Sequence, residues 1–143
     1  MRNTKAKVLT AALSGVAATL LMAAPAMAAN DDFGQATTDP GGCGVVDFID
    51  YGPGAPGGGD NDDYLVIHDY CADGHGVEAY AWLDGTYLGK HYDGNGLDGA
   101  PVVWDPFGDV KYGQTVGIKV CLVDGANDAT PSYCASAEAT IDG

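Results

Sequence analysis

The sequence predicts an all-β fold, a single disulfide-stapled β-sandwich of about seven short antiparallel strands behind an extended N-terminal arm. Three observations predict it. From residue 43 onward, β-branched and aromatic runs alternate with Asp-Gly, Gly-Asn and Pro-containing turns at regular spacing. No stretch beyond residue 28 carries a convincing helical stripe, and the 22 Gly and 7 Pro of the chain work against one. Four cysteines, Cys43, Cys71, Cys121 and Cys134, form an even set.

Residues 1–28 read as a signal peptide. Arg2, Lys5 and Lys7 precede an apolar run that ends at Pro25 and Ala26-Met27-Ala28. A membrane anchor is the competing interpretation, but the run is rich in Ala, Gly and Thr and lacks basic residues behind it. Cleavage after Ala28 would leave residues 29–143 with 3 lysines against 20 acids, a formal charge of −17. Such a chain repels phosphate backbones and anionic lipid, so nucleic acid and, for the mature form, membranes are not expected partners. The expected location is extracellular. Solubility alone accounts for much of the acid.

Residues 29–42 (ANDDFGQATTDPGG) have one aromatic and no periodicity, and read as a flexible arm ahead of one domain over 43–143. CGVVDFIDY is a short strand candidate. Gly52 to Asp63, rich in Gly, Pro and acids, reads as a mobile loop. YLVIHDYC (64–71) is a strand, ADGHG turns the chain, and VEAYAWL (77–83) leads into Asp84-Gly85, the dipeptide of a type I′ hairpin, with TYLGKHY (86–92) returning. Counting outward from that turn pairs Leu83 with Thr86, Trp82 with Tyr87, Ala81 with Leu88 and Glu78 with His91. APVVW follows, and Trp104 to Gly108 forms a corner. QTVGIKVCLV (114–123) places Val116, Ile118, Val120 and Leu122 on one face, and SYCASAEATI (132–141) returns beside it.

Three pairings of the cysteines are possible in principle. Cys121 and Cys134 can face each other across the last hairpin, which leaves Cys43 for Cys71, each bridge contributing roughly 2–4 kcal/mol. Zinc is the alternative, but no C-x-x-C pair occurs and the histidines lack a finger spacing.

Candidate chemistry is thin. Ser132 and Ser136 lie outside any G-x-S-x-G context. His68 beside Asp69, with His75 and His91, offers a base and an orienting acid but no accompanying nucleophile, and acid pairs among 20 carboxylates are expected by chance. Asp93-Gly-Asn95-Gly-Leu-Asp98 begins like an EF-hand calcium loop, yet the glycine and glutamate that the loop requires are Asp98 and Trp104. Asp60 to Asp63 and Asp124 to Asp128 are two further oxygen-rich loops. Turn chemistry explains all three, so no catalytic residue, metal or cofactor is expected.

Exposed aromatics are the remaining cue. Eight Tyr and two Trp exceed what one small core uses, and such residues anchor binding surfaces. The expected partner-binding residues are Tyr80, Trp82 and Tyr87 on the hairpin and Asp31, Asp32 and Phe33 in the arm. The hairpin face could equally be the sandwich core.

The stretches HDYCADGHGVEAYAWLDG and HYDGNGLDGAPVVWDPFGDVKYGQTVGIKVCLVDGANDATPSYC resemble a group of small secreted proteins of filamentous actinomycetes, and within it the adaptor subunits of Streptomyces umbrella toxin particles. The resemblance covers most of the chain beyond the leader. It implies a non-enzymatic adaptor that bridges a lectin subunit to a large repeat-containing toxin in a secreted antibacterial complex. On that reading the arm enters a cleft of the lectin while the folded domain grips the toxin repeat. The alternative is a free-standing secreted inhibitor or ligand-binding module, for instance of an extracellular hydrolase.

Overall fold

The computed structural model describes residues 31–50 and 63–141. The expected signal peptide and all but Asp63 of the expected Gly52–Asp63 loop lie outside the described residues. Eight antiparallel strands form two four-stranded sheets: β1 (Phe33–Ala36), β2 (Gly44–Ile49), β3 (Tyr64–Asp69), β4 (Gly76–Leu83), β5 (Thr86–Asp93), β6 (Val102–Trp104), β7 (Thr115–Val123) and β8 (Ser132–Thr140). The first sheet runs β1-β2-β3-β6 and the second β5-β4-β7-β8. Among the described residues no helix is long and apolar enough to cross a membrane.

Alternation along the strands builds the core. Val46 and Phe48 of β2 and Leu65 and Ile67 of β3 are fully buried against Val77, Ala79 and Ala81 of β4 and Val116, Ile118 and Val120 of β7. Period-two patterning puts these side chains on the inner face of each sheet, where their burial drives the packing at about 25 cal/mol per Å². Phe107 and Val110, in the connection between β6 and β7, also join the core, and the Phe107 ring meets Phe48 edge-on at 5.4 Å. Asp63, read from sequence as loop, is 3% exposed and accepts the Val110 N–H at 2.7 Å.

Both expected disulfides are present. Cys43–Cys71 ties the start of β2 to the end of β3, and Cys121–Cys134 staples β7 to β8. The β7–β8 register shifts between Val120 and Leu122, beside that second bridge.

The arm is corrected. Residues 33–36 are an edge strand paired with β2, from Phe33 opposite Phe48 to Ala36 opposite Val45. Phe33 packs its ring 5.5 Å from Phe48, so the lone aromatic of the segment is a core contact. The turn that follows is fixed by Asp39, whose carboxylate accepts the N–H groups of Gly41 and Cys43 and the Thr37 hydroxyl. A four-residue strand with one apolar anchor is too short to declare itself by periodicity.

Candidate functional site

Strand β4 is central in its sheet, and its two faces divide cleanly. Val77, Ala79 and Ala81 enter the core; Glu78, Tyr80 and Trp82 project from the opposite face. The three aromatics predicted on the hairpin therefore lie outside the sandwich core. Trp82 and Tyr87 meet at 5.3 Å with a 47° tilt, and the Tyr80 and Trp82 rings lie 6.4 Å apart and nearly parallel. Tyr87 is half exposed. Contacts of this kind hold amphipathic rings in a fixed array without burying them fully.

A β-bulge decides what surrounds the aromatics. Leu83 pairs with Thr86 and Trp82 with Tyr87 as counted, but the ladder then slips, so that Ala81 faces Gly89, Tyr80 faces Lys90 and Glu78 faces Tyr92. The expected pairings of Ala81 with Leu88 and of Glu78 with His91 are therefore corrected. Gly89 has φ of 127°, a value side chains disfavour, and it absorbs the extra residue. Without the slip Lys90 would fall opposite Ala79, on the core face. With it, Lys90 stands on the outer face and His91 turns to the far edge, its ring stacked 5.6 Å from Trp104 of β6.

Lys90 then completes a polar centre. Its Nζ lies 2.7 Å from Glu78 Oε1, and the Tyr80 hydroxyl donates to Glu78 Oε2 at 2.6 Å. Glu78 is 1% exposed and has a partner on each oxygen, which is what permits a carboxylate there. Burial, the hydrogen bond to Glu78 and that carboxylate's charge push the Tyr80 hydroxyl well above its ordinary range. Tyr80 accordingly keeps its proton and serves as a hydrogen-bond donor to Glu78. Lys119 of β7 places its Nζ 4.8 Å over the Tyr80 ring, a cation–π geometry. Two of the three lysines beyond residue 28 thus meet on this one face.

Beside this array runs an open groove of about 300 Å³, bordered by Trp82, Thr115, Ser136 and Glu138. Its floor is Gly117, which pairs with Trp82 and has no side chain to fill the space. The hairpin beneath is clamped at its tip. Asp84 and Gly85 both have positive φ, as a type I′ turn needs, and the Asp84 carboxylate accepts the Thr115 N–H at 2.8 Å and the Gln114 side chain at 2.9 Å. These bonds hold the Asp84 carboxyl below its usual value.

The six expected partner-binding residues do not form one surface. Tyr80, Trp82 and Tyr87 come together on the second sheet. Asp31, Asp32 and Phe33 lie at the β1 edge of the first, where Asp32 accepts the Asp50 N–H at 2.7 Å and the Asp31 N–H points to Asp50. Glu78, Lys90 and Lys119 were missed. Glu78 and Lys119 were legible from strict alternation in β4 and β7, whereas Lys90 required the bulge.

The histidines have local partners. His68 lies 3.6 Å from Asp47 and stacks on Tyr70, and His75 lies 2.7 Å from Asp124. Among the described residues one group has the spacing of metal ligands, Cys43, Cys71 and Asp73, but its two sulfurs are joined in a disulfide and supply no thiolate. Comparison with protein-family models, with curated proteins and with solved structures finds no match to this chain.

Proposed function

We propose that the chain is a secreted, non-enzymatic adaptor that joins other extracellular proteins and docks one of them on the outer face of the β5-β4-β7-β8 sheet. The observation that carries this reading is the array of Tyr80, Trp82 and Tyr87 on a rigid sheet, outside the core, with Lys90 and Lys119 among them. Tyr and Trp are the residues that most often dominate binding energy, and here their rings are already oriented, so little side-chain entropy remains to be lost on docking. On a chain with so few cations, a face where Lys90 and Lys119 offset Glu78 and Glu138 differs from a surface that is acidic almost everywhere else, and that contrast helps to fix orientation.

The resemblance to umbrella-particle adaptors supplies the specific form: a bridge between a lectin subunit and a repeat-containing toxin that inhibits competing bacteria. In that form the docking face is the second sheet. Residues 33–36 are paired with β2, and inserting the whole 29–42 segment into a cleft would strip a strand from the first sheet.

The test is a mild affinity purification of the tagged chain from the secretome of its native host, run alongside the double variant Trp82→Ala, Tyr87→Ala. The parent is expected to elute in a large assembly, and the folded variant to lose at least about tenfold of one partner, as loss of a hot-spot pair predicts. Equal recovery of the same partners by the variant would overturn the assignment. Elution of the parent as a small monomer would favour the free-standing inhibitor.

A further inference from the structure

A strand at the edge of a sheet offers a row of backbone N–H and C=O groups to any extended chain that reaches it. The two sheets end in four such strands, and three of them are blunted. β6 has three residues and β1 four. β5 is kinked by the bulge that Gly89 absorbs, and it carries Lys90. β8 differs. It runs for nine residues without Pro or Lys, and its only charge is Glu138. Its register is unbroken from Thr140 opposite Thr115 to Ala135 opposite Val120.

The ladder determines which groups of β8 are free. The Ile141 N–H donates to the Gln114 carbonyl, and the Asp84 N–H of the neighbouring hairpin donates to the Thr115 carbonyl. Antiparallel alternation then turns the backbone of Ala135, Ala137 and Ala139 toward β7, and that of Ser136, Glu138 and Thr140 toward the open edge. No backbone partner among the described residues meets these three. At the other end of the strand the fold already uses this edge, since the Thr38 N–H donates to the Tyr133 carbonyl at 2.9 Å. Ser136, Ala137 and Glu138 border an open hollow of about 320 Å³, beside the groove floored by Gly117. With side chains this small, nothing bulky on Ala135 to Ala137 stands in the path of an incoming strand.

Charge selects the occupant. A second copy would set two chains of net charge −14 edge to edge, which their mutual repulsion opposes. A basic strand meets no such barrier: on the outer side a lysine or arginine falls beside Glu138, while small or β-branched residues continue the inward row of Ala137 and Ala139 at the margin of the core. We infer that β8 binds an extended basic segment of the docked protein by strand addition, through the outward backbone groups of Ser136, Glu138 and Thr140, with Glu138 selecting the cationic side chain. This names the chemistry of the partner proposed for the adjoining outer face and rests on that reading.

The test titrates the purified full chain with a capped peptide of about seven residues in which lysine and valine alternate, and follows solvent exchange of the backbone amides by NMR. At about ten times its dissociation constant the peptide is expected to slow exchange at Ser136, Glu138 and Thr140 by about tenfold, with less change at Ala135, Ala137 and Ala139. The same peptide N-methylated at alternate amides keeps its charge but cannot complete a ladder, and is expected to give no protection. A glutamate and valine counterpart is expected to give none either. Ser136→Pro removes one outward N–H and none facing β7, a place where an edge strand tolerates proline, and is expected to weaken peptide binding at least about tenfold. Glu138→Lys keeps the backbone and is expected to weaken it at least about threefold. Absence of protection by the parent peptide, protection by the N-methylated one, equal binding of the acidic one, or unchanged affinity in either variant would each overturn the inference. Reversible dimerisation of the parent in sedimentation, abolished by Ser136→Pro, would overturn it in favour of a second copy. The titration reads β8 alone, so its failure leaves the aromatic face to be judged by partner capture.

Discussion

Lys90 is bonded to Glu78 at 2.7 Å only because the hairpin joining them gains one residue between Tyr87 and Gly89. The ion pair and the bulge are two descriptions of one register. Replacing Lys90 by Met leaves Glu78, which is 2% exposed in its side chain, with the Tyr80 hydroxyl on one oxygen and nothing from Lys90 on the other. Losing one partner of a fully buried pair costs several kcal/mol. Lys90 is 41% exposed, however, and water can replace it, so the discounted cost is about 1–2 kcal/mol. Urea denaturation measures it, and Glu78→Gln in the Lys90→Met background should recover part of the loss.

Gly89 is the residue that makes the slip possible. With φ of 127°, Gly89→Ala should destabilise the fold by about 1–3 kcal/mol. Gly85→Ala, at the hairpin tip with φ of 77°, should cost about 1 kcal/mol. Equal and negligible effects at the two positions would contradict the assigned register.

The pH dependence of stability has two parts of opposite sign. Burial raises the Asp47 and Asp69 carboxyls, so the native state holds protons that the unfolded chain releases, and their contribution improves as pH falls toward those raised values. Asp84, Asp128 and Asp39 go the other way. Asp39 is desolvated, but bonds from Thr37, Cys43 and Gly41 outweigh that, while Asp84 and Asp128 are lowered by backbone and side-chain donors. Their contribution is present above the unfolded value of 3.8 and is lost as pH falls through their depressed values. The melting temperature should rise as pH falls toward the raised values of Asp47 and Asp69 and fall again below about pH 4. Asp69→Asn should flatten the first limb and leave the second.

Peptide mapping without reductant should recover Cys43 linked to Cys71 and Cys121 linked to Cys134. Removing either bridge as a Cys→Ala pair should cost roughly 2–4 kcal/mol, with the bridge spanning 28 residues at least as costly as the one spanning 13.

Filling the groove provides a separate check on the docking face. Gly117→Leu places a side chain over Trp82 on the outer surface, where a Cβ would meet the Trp82 Cβ at 3.4 Å. Its effect on stability should be small compared with its effect on partner capture, measured side by side by thermal melting and pull-down.

Strands reveal themselves in a sequence when apolar residues alternate for five or more positions, and β2, β3, β4 and β7 do so. Their core residues and both cysteine pairs could therefore be read in advance. β1 could not, because four residues with one ring carry no period. The bulge was hidden for another reason. A Gly four residues beyond Asp84-Gly85 looks like an ordinary member of a strand, and only competition between turning Lys90 to the core face and slipping by one position selects the slip.

The Cys43–Cys71 bridge closes a ring that contains the whole connection from β2 to β3. Gly44 pairs with Asp69 immediately inside it, so the covalent link and the ladder lie side by side. A protease that cuts anywhere between residues 51 and 62 would open a ring without releasing a fragment. The nicked molecule would run as one species until reduced and would keep both sheets paired. Wherever proteases reach the chain, that topology turns a backbone cut in this connection into a silent event.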